Sequence, residues 1–315
     1  MARPKAGRAV LVTAAALALA TLFVRQQARR AERDNPPTGR FVDVQGVRLH
    51  YVERGQGQPV VLLHGNGMMT RDFALSGLVD LAAERHRVIV FDRPGFGHST
   101  RPRGGRVWTP RAQAALLHEA FERLGIERPI VVGHSWGTLV ALELALDYPA
   151  DVQSLVLLSG YYFPTARLDV PLLSPPALPV VGDLMRHTIS PLLGRLMWRR
   201  LLRRLFAPAP VPAHFAAFPV WMALRPSQLR ASAAETALMI PSVIALSRRY
   251  DELKVPVTIV AGADDRIVDA QRHSVRLHQE VAPSLLDLAA GVGHMVHHSE
   301  PRRVMNAIEA AARAA

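Results

Sequence analysis

The chain has 315 residues, 49% of them hydrophobic, and its length and apolar content allow either one large domain with an insertion or two small domains. The absence of cysteine excludes a disulfide framework, a thiolate nucleophile and any cysteine-based zinc site. The net charge of +12 comes entirely from residues 1–40 and 186–204, which excludes a nucleic-acid binder with basic residues spread along its whole length.

The first predicted element is an uncharged run over residues 9–24, with basic residues on both sides. As a helix it is about 24 Å long, slightly short of the ~30 Å hydrocarbon core of a bilayer, and flanking Lys and Arg side chains can close the gap by snorkelling. We interpret it as an uncleaved membrane anchor, followed by a charged, proline-containing linker over 25–39. The alternative is signal cleavage at 18–20, which would give a secreted or periplasmic protein. Basic charge on both flanks leaves the orientation open.

Short apolar strands and helices then alternate along the chain. The predicted strands are 41–44, 49–53, 60–63, 88–91, 130–132 and 152–158. The predicted helices are 72–83, 110–124 and 138–146; the second has Thr109 as its cap and Gly125 as its stop. Alternation of this kind predicts an α/β fold in which a mostly parallel sheet has helices on both faces.

The alternation is interrupted over residues 161–250, where prolines are dense and helical pieces lie between them. It returns with a strand at 257–261, a helix at 270–281, a strand at 285–288 and a closing helix from about residue 300. We therefore predict a helical lid inserted over the active edge of the sheet. The predicted division is 1–40 anchor and linker, 41–160 and 251–315 the two parts of the α/β core, and 161–250 lid.

A sharp turn between a strand and a helix reads Gly133-His134-Ser135-Trp136-Gly137 and matches G-x-S-x-G. A serine in such a strained turn projects its hydroxyl above the sheet, and the residues two positions away must be small. The backbone N–H of Trp136 can face a developing oxyanion at the start of the helix. Ser135 is therefore the predicted nucleophile.

Together with the Ser135 turn, four other segments make the chain resemble the α/β-hydrolase family from about residue 41 onward. They are His64-Gly65-Asn66-Gly67, residues 92–99, residues 262–268 and Gly293-His294. The resemblance implies that His294 is the base and that Asp265, three residues after a glycine, is the acid. It also implies that the backbone N–H of Asn66 is the second oxyanion donor, beside that of Trp136. Asp264 is the main competitor for the acid, and Asp269 a distant one.

The remaining histidines near these motifs have structural interpretations. His64 is predicted to support its loop, His134 to point its side chain away from the nucleophile and pack, and His297 and His298 to be surface or helix-start residues. A metal site built from His294, His297 and His298 is disfavoured because it would remove the base from Ser135. No metal and no organic cofactor is predicted.

Asn66 and Trp136 also resemble the halide-binding pair of haloalkane dehalogenases, which use an aspartate nucleophile. Alkylation of Ser135 would give an ether that this triad could not hydrolyse, so dehalogenation is disfavoured on chemical grounds.

The basic segment of the predicted lid is amphipathic over residues 197–205. One arc carries Met197, Trp198, Leu201, Leu202 and Leu205, and the other carries Arg199, Arg200, Arg203 and Arg204. We favour a lid helix with its apolar face on the core and a solvated basic face. Contact with an anionic membrane surface is the alternative, and it would suit a substrate dissolved in the bilayer.

The predicted function is hydrolysis of a small to medium apolar ester through an acyl-Ser135 intermediate. The Leu, Met, Pro and Phe content of the lid indicates an apolar pocket. Two alternatives remain: other chemistry with the same triad (a C–C bond, an amide or cofactor-free perhydrolysis), or a ligand-binding receptor on this fold. The expected partners are a small-molecule substrate and, through the first helix, a membrane; no nucleic acid is expected, and the oligomeric state stays open.

Overall fold

Short runs of Val, Ile and Leu form one sheet in the computed structural model, which describes residues 4–102, 104 and 106–314. The ends of the predicted 1–40 and 251–315 segments, residues 1–3 and 315, lie outside this range. The strands are β1 (Arg40–Val44), β2 (Val47–Arg54), β3 (Gln58–Leu63), β4 (His86–Phe91), β5 (Ile130–His134), β6 (Ser154–Leu158), β7 (Val257–Gly262) and β8 (Ser284–Ala289). Their spatial order is β1-β2-β4-β3-β5-β6-β7-β8.

The sheet is mostly parallel, as predicted. Only β1 with β2 and β2 with β4 pair antiparallel, and every neighbouring pair from β4 to β8 is parallel. Successive residues of β3 point to opposite faces: Val61 and Leu63 join one buried cluster, while Val60 and Leu62 join another. Both faces are therefore covered, which explains why the central strands are apolar without interruption.

The helices of the core lie on these two faces. They are α2 (Thr70–Leu75), α3 (Leu78–Ala83), α4 (Pro110–Leu124), α5 (Gly137–Asp147), α11 (Arg276–Glu280), α12 (Val296–Ser299) and α13 (Pro301–Arg313). The predicted single helix over 72–83 is wrong, because Gly77 has φ 76° and separates α2 from α3. Part of the predicted helix over 270–281 is a π-helical turn, Gln271–Val275. The Thr109 cap and the Gly125 stop of α4 are confirmed.

Every regular element between β6 and β7 is helical, as predicted for residues 161–250. They are α6 (Asp169–Leu173), α7 (Val181–His187), α8 (Ile189–Phe206), α9 (Val220–Ala223) and α10 (Pro226–Leu246), with short 3-10 turns between them. A third buried cluster joins α8 and α9 to residues of the sheet-edge loops, among them Met68, Met69 and Met295. The insertion therefore packs over the loops that follow the parallel strands.

The predicted amphipathic arc of α8 is only partly buried. Trp198, Leu202 and Leu205 pack inward, whereas Met197 is 57% exposed and Leu201 is 44% exposed. The apolar arc is thus wider than the surface that the protein itself covers.

The first helix is longer than predicted. Helix α1 runs without a break from Pro4 to Asp34, so the prediction of a linker beginning at residue 25 is wrong. Residues 25–34 are rich in Arg, Gln, Ala and Glu, all good helix formers, and the first proline follows only at position 36. This half packs on the insertion: Val24 and Ala31 are buried, and Glu32 pairs with Arg225 at 2.8 Å.

Candidate active site

The turn between β5 and α5 holds Ser135 at φ +51°, a left-handed conformation that costs a non-glycine residue about 1–3 kcal/mol. The glycines of the motif are required by close backbone approach. A Cβ on Gly133 would lie 2.7 Å from the Gly137 oxygen, and one on Gly137 would overlap the carbonyl oxygen of Leu63. The sheet therefore imposes the small residues that the motif contains.

Ser135, His294 and Asp265 are brought together in one line of hydrogen bonds. His294 Nε2 lies 2.9 Å from Ser135 Oγ, and His294 Nδ1 lies 2.7 Å from Asp265 Oδ2. The other oxygen of Asp265 accepts the N–H groups of Ile267 at 2.7 Å and Val268 at 3.0 Å. A carboxylate held in this way fixes the imidazole with its Nδ1 protonated and its Nε2 free to take the serine proton.

The two competing aspartates face other partners. Asp264 accepts the N–H of Gly291 at 2.8 Å, and Asp269 accepts that of Arg272 at 2.8 Å. Of the three candidates, only Asp265 therefore contacts His294.

The two predicted oxyanion donors flank the nucleophile. Asn66 follows Gly65, where a Cβ would lie 3.1 Å from Cβ of Ser135, so the loop after β3 touches the serine turn. Within the described part of the chain, neither the backbone N–H of Asn66 nor that of Trp136 has a hydrogen-bond acceptor. Two free N–H groups beside a nucleophile can bind a developing oxyanion.

The side chains of the same two residues point to α10. Asn66 Nδ2 donates to Ser232 O and to Thr236 Oγ1, both at 3.1 Å, and Trp136 Nε1 donates to Glu235 O at 3.2 Å. Both amide and indole donors are thus engaged by the insertion, and neither is available to hold a halide.

A buried ion pair, which the sequence did not predict, joins α10 to the loop after β3, residues 64–69, which we call the oxyanion loop because it contains the predicted donor Asn66. The Arg93 guanidinium binds both carboxylate oxygens of Glu235, and neither side chain is exposed. Arg93 also donates to the carbonyls of His64 at 2.8 Å and Gly65 at 3.2 Å. Glu235 is the only acid in α10, and an acid within this long, largely apolar helix was the signal that the sequence offered.

His64 and His134 are both buried; His64 supports its loop, as predicted, and His134 packs beside His294. His64 Nε2 accepts the Arg93 N–H at 3.0 Å, so Nδ1 carries the proton and donates to Gly65 O at 2.8 Å. Burial, and next the Arg93 charge, lower the pKa of His64 to about 3. His134 Nε2 lies 3.1 Å from the His294 carbonyl, and burial holds its pKa well below the ordinary value.

His297 and His298 begin α12 but are buried, so their prediction as surface residues is wrong. Their Nε2 atoms lie 3.1 and 2.9 Å from the two oxygens of Asp72 in α2. Burial alone would raise the pKa of Asp72, but contact with these two imidazoles lowers it well below the ordinary value. Asp72 is 225 residues away along the chain from His297, so no local pattern could have revealed this cluster.

The described structure contains one cluster that could hold a metal ion, with ligand atoms within 4.8 Å of one another. It consists of the same three residues, Asp72, His297 and His298. Two imidazoles and a carboxylate would suit zinc. The hydrogen bonds to both carboxylate oxygens account for the arrangement without a cation, and they tie the loop that carries His294 to α2. We therefore propose a structural role for the cluster.

Comparisons with known proteins show the fold family of the chain. A family model described as the alpha/beta hydrolase fold matches residues 58–301. An uncharacterised protein of Mycobacterium tuberculosis is 30% identical over 90% of this chain and 84% of its own length. The 2-hydroxy-6-oxo-2,4-heptadienoate hydrolase of Pseudomonas putida is 28% identical over 85% of this chain and 94% of its own. The crystal structure of a bacterial membrane phospholipase A superposes with a TM-score of 0.64 at 22% identity, covering 98% of this chain and 99% of that one. The chain belongs to the α/β-hydrolase fold family.

Proposed function

We propose that the protein is a membrane-anchored serine hydrolase that cleaves an apolar ester through an acyl-Ser135 intermediate. The observation that carries the proposal is the line Asp265–His294–Ser135, with contacts of 2.7 and 2.9 Å, beside two free backbone N–H groups. A serine hydroxyl becomes a useful nucleophile when a positioned base takes its proton and the resulting oxyanion is stabilised.

In the proposed acylation, Ser135 Oγ attacks the ester carbonyl while His294 Nε2 takes the hydroxyl proton. The carbonyl oxygen becomes an oxyanion and accepts hydrogen bonds from the N–H groups of Asn66 and Trp136; loss of one such donor typically raises the barrier by about 3 kcal/mol. The tetrahedral intermediate then collapses, and His294 gives its proton to the departing alcohol. Water repeats these steps on the acyl-serine and releases the carboxylic acid.

An apolar substrate is supported by the insertion, which we propose acts as a lid. Helix α10 contacts the side chains of Asn66 and Trp136, and its second half, residues 237–246, contains no charged residue. A neutral acyl chain could pack against such a helix, whereas a charged acyl group would lose its hydration without a partner.

Membrane anchoring is supported by α1. Among the described helices, two are long and apolar enough to cross a bilayer; in the first, near the N-terminus, 6% of the apolar window is buried. The second is α10, which is 39% buried and packs on the active-site loops. The structural match to the membrane phospholipase A covers 98% of this chain and therefore includes α1.

A fluorophosphonate probe tests the proposed nucleophile. We expect covalent labelling of the full-length protein and its loss in Ser135→Ala. Ser232→Ala is the matched control, because this half-buried serine on α10 lies near Gly67 and makes no contact with an imidazole. Equal labelling of the wild type and Ser135→Ala would contradict the proposal.

A second candidate uses the same triad to hydrolyse a C–C bond next to a ketone. It is favoured by the similarity to the Pseudomonas putida hydrolase, which covers 85% of this chain. A panel of p-nitrophenyl esters from acetate to dodecanoate, assayed beside a 2-hydroxy-6-oxo-dienoate, separates the two. A kcat/KM more than tenfold higher for the dienoate than for the best ester would replace ester cleavage by C–C cleavage.

A further inference from the structure

A cleft of about 850 Å³ lies between the second half of α1, the loop after β4 and the start of α10. Its lining includes neither Ser135 nor His294, so it is distinct from the proposed active site. Six arginines line it: Arg25, Arg29, Arg101, Arg186, Arg225 and Arg230. The one acid in its described lining is Glu32.

Two of the six arginines have acidic partners, since Arg186 pairs with Asp183 and Arg225 pairs with Glu32. Glu32 is engaged by Arg225, whose guanidinium also donates to the carbonyl of Gly97. Within the part of the chain that the structure describes, Arg25, Arg29, Arg101 and Arg230 form no ion pair with an acid. Four guanidinium groups that have no ion-pair partner in the described structure therefore line one cleft. Such a group of arginines could bind an anion, since Arg matches the geometry of phosphate and carboxylate.

Arg101 carries a buried donor, Nη1, that has no acceptor among the described residues. Burial lowers the pKa of Arg101 to about 10; Glu235 opposes this effect, while Arg230 and Arg93 add to it. Glu235 is already held by both guanidinium nitrogens of Arg93, so it is not a free partner. An unpaired buried donor is costly, and the Arg101 side chain, which lines the cleft, could turn this donor toward a bound anion.

The position of the cleft along α1 indicates the source of the anion. Thr21 lies in the lining and belongs to the exposed apolar part of α1, and Arg25 and Arg29 are the first basic residues after that part. Arg29 is about 6 Å beyond Arg25 along the helix axis. The headgroup layer of a bilayer is about 5–7 Å thick on each side, so a spanning α1 places the cleft in that layer.

We propose that this cleft binds the phosphate headgroup of an anionic membrane lipid. The proposal rests on the anchoring of α1 in a bilayer and is independent of the ester chemistry at Ser135. The cleft is a built site, because Gly97 is held by Arg225 and by Gln228, and the Arg101 side chain packs on Gly95. Bound phosphate would receive hydrogen bonds from Arg101 and Arg230 at the wall of the domain and from Arg25 and Arg29 on α1.

The test uses the full-length protein in uncharged maltoside micelles and a lipid that no esterase can hydrolyse. The probe is an ether-linked dioctyl phosphatidic acid, and dioctylglycerol ether without phosphate is the reference. We expect saturable binding of the phosphate lipid, with a higher thermal unfolding midpoint, and binding at least tenfold weaker in Arg101→Gln/Arg230→Gln. Arg200→Gln/Arg204→Gln is the control, because it removes the same charge from exposed positions of α8 outside the cleft.

Three outcomes would overturn the proposal. They are equal binding by the wild type and the cleft variant, an equal loss in the α8 control, and binding of the phosphate-free ether as tight as that of the phosphate lipid. Inorganic phosphate binding as tightly as the lipid would assign the cleft to a soluble phosphate instead. Fluorophosphonate labelling of Ser135 in the cleft variant verifies its folding and separates this result from that of the proposed hydrolase.

Discussion

Asp264 and Asp265 are adjacent in the chain, yet their carboxylates have different partners. Asp265 Oδ2 lies 2.7 Å from His294 Nδ1, whereas Asp264 accepts the N–H of Gly291 on an exposed loop. The difference between the two positions at the end of β7 decides which aspartate can serve the base.

Asp265→Asn therefore tests the acid. The amide keeps the size of the side chain but can donate to Nδ1, which favours the wrong imidazole tautomer, and we expect kcat on the best ester to fall about 10³–10⁴-fold. Asp264→Asn is the matched control, expected to stay within about threefold, since removing one exposed hydrogen bond costs only ~1 kcal/mol. A larger loss in Asp264→Asn than in Asp265→Asn would reverse the assignment.

His273 is a buried histidine whose protonation state affects folding. Its Nδ1 accepts the N–H groups of Tyr162 and Phe163, and burial lowers its pKa to about 4. An unfolded histidine titrates near 6.5, so between about pH 4 and 6.5 the unfolded chain binds the extra proton. Stability is therefore complete above pH 6.5 and falls as the pH is lowered toward 4.

His273→Gln should flatten this dependence, because the amide oxygen can accept the same N–H groups without titrating. We expect the slope of the unfolding free energy between pH 4.5 and 6.5 to fall by up to roughly 1.4 kcal/mol per pH unit. Urea unfolding followed by tryptophan fluorescence measures it. Parallel pH curves for the variant and the wild type would show that His273 is not responsible.

At the level of the elements, α10 is connected to the oxyanion loop through Arg93 and Glu235. Glu235→Gln leaves the Arg93 charge buried without its partner, a change that typically costs 3–5 kcal/mol. Because Arg93 also holds the His64 and Gly65 carbonyls, we expect kcat to fall as well.

The matched variant is Arg93→Met/Glu235→Leu, which removes both charges. Replacement of a buried pair by apolar residues is often neutral for stability, so we expect the unfolding free energy to recover while kcat stays low. Recovery of kcat together with stability would show that Arg93 only serves folding and does not position the loop.

The same elements show what the sequence can and cannot predict. The central strands and the Ser135 turn follow from local patterns, because apolar runs and flanking glycines are local requirements of the sheet. The Arg93–Glu235 pair and the Asp72–His297 contact join residues 142 and 225 positions apart. These pairings depend on where the insertion and α12 pack, which a single sequence does not encode in any local signal.

The predicted end of the first helix was wrong for a different reason. Charged residues after an apolar run suit both a solvated linker and the continuation of a helix. Packing of Val24 and Ala31 against the insertion favours the helix, and that surface is formed by residues about 190 positions later in the chain.

For the whole molecule, truncation of α1 separates anchoring from folding. Deletion of residues 1–20 removes most of the exposed apolar part, so we expect release from membranes at alkaline pH with a nearly unchanged unfolding midpoint. Deletion of residues 1–34 also removes Val24, Ala31 and the Glu32–Arg225 pair, and we expect the midpoint to fall by several degrees. Release of the full-length protein by alkaline extraction would contradict a spanning α1.

The contacts of α10 connect the insertion directly to the residues that are predicted to stabilise the oxyanion. The helix holds the Asn66 side chain, the Trp136 indole and, through Glu235, the arginine that supports the loop after β3. Lifting α10 away from the sheet would free the side chains of both predicted oxyanion residues and leave the buried Arg93 charge without its partner. If the proposed mechanism holds, we therefore expect α10 to stay in place during turnover, so that any opening for the substrate involves the other helices of the insertion.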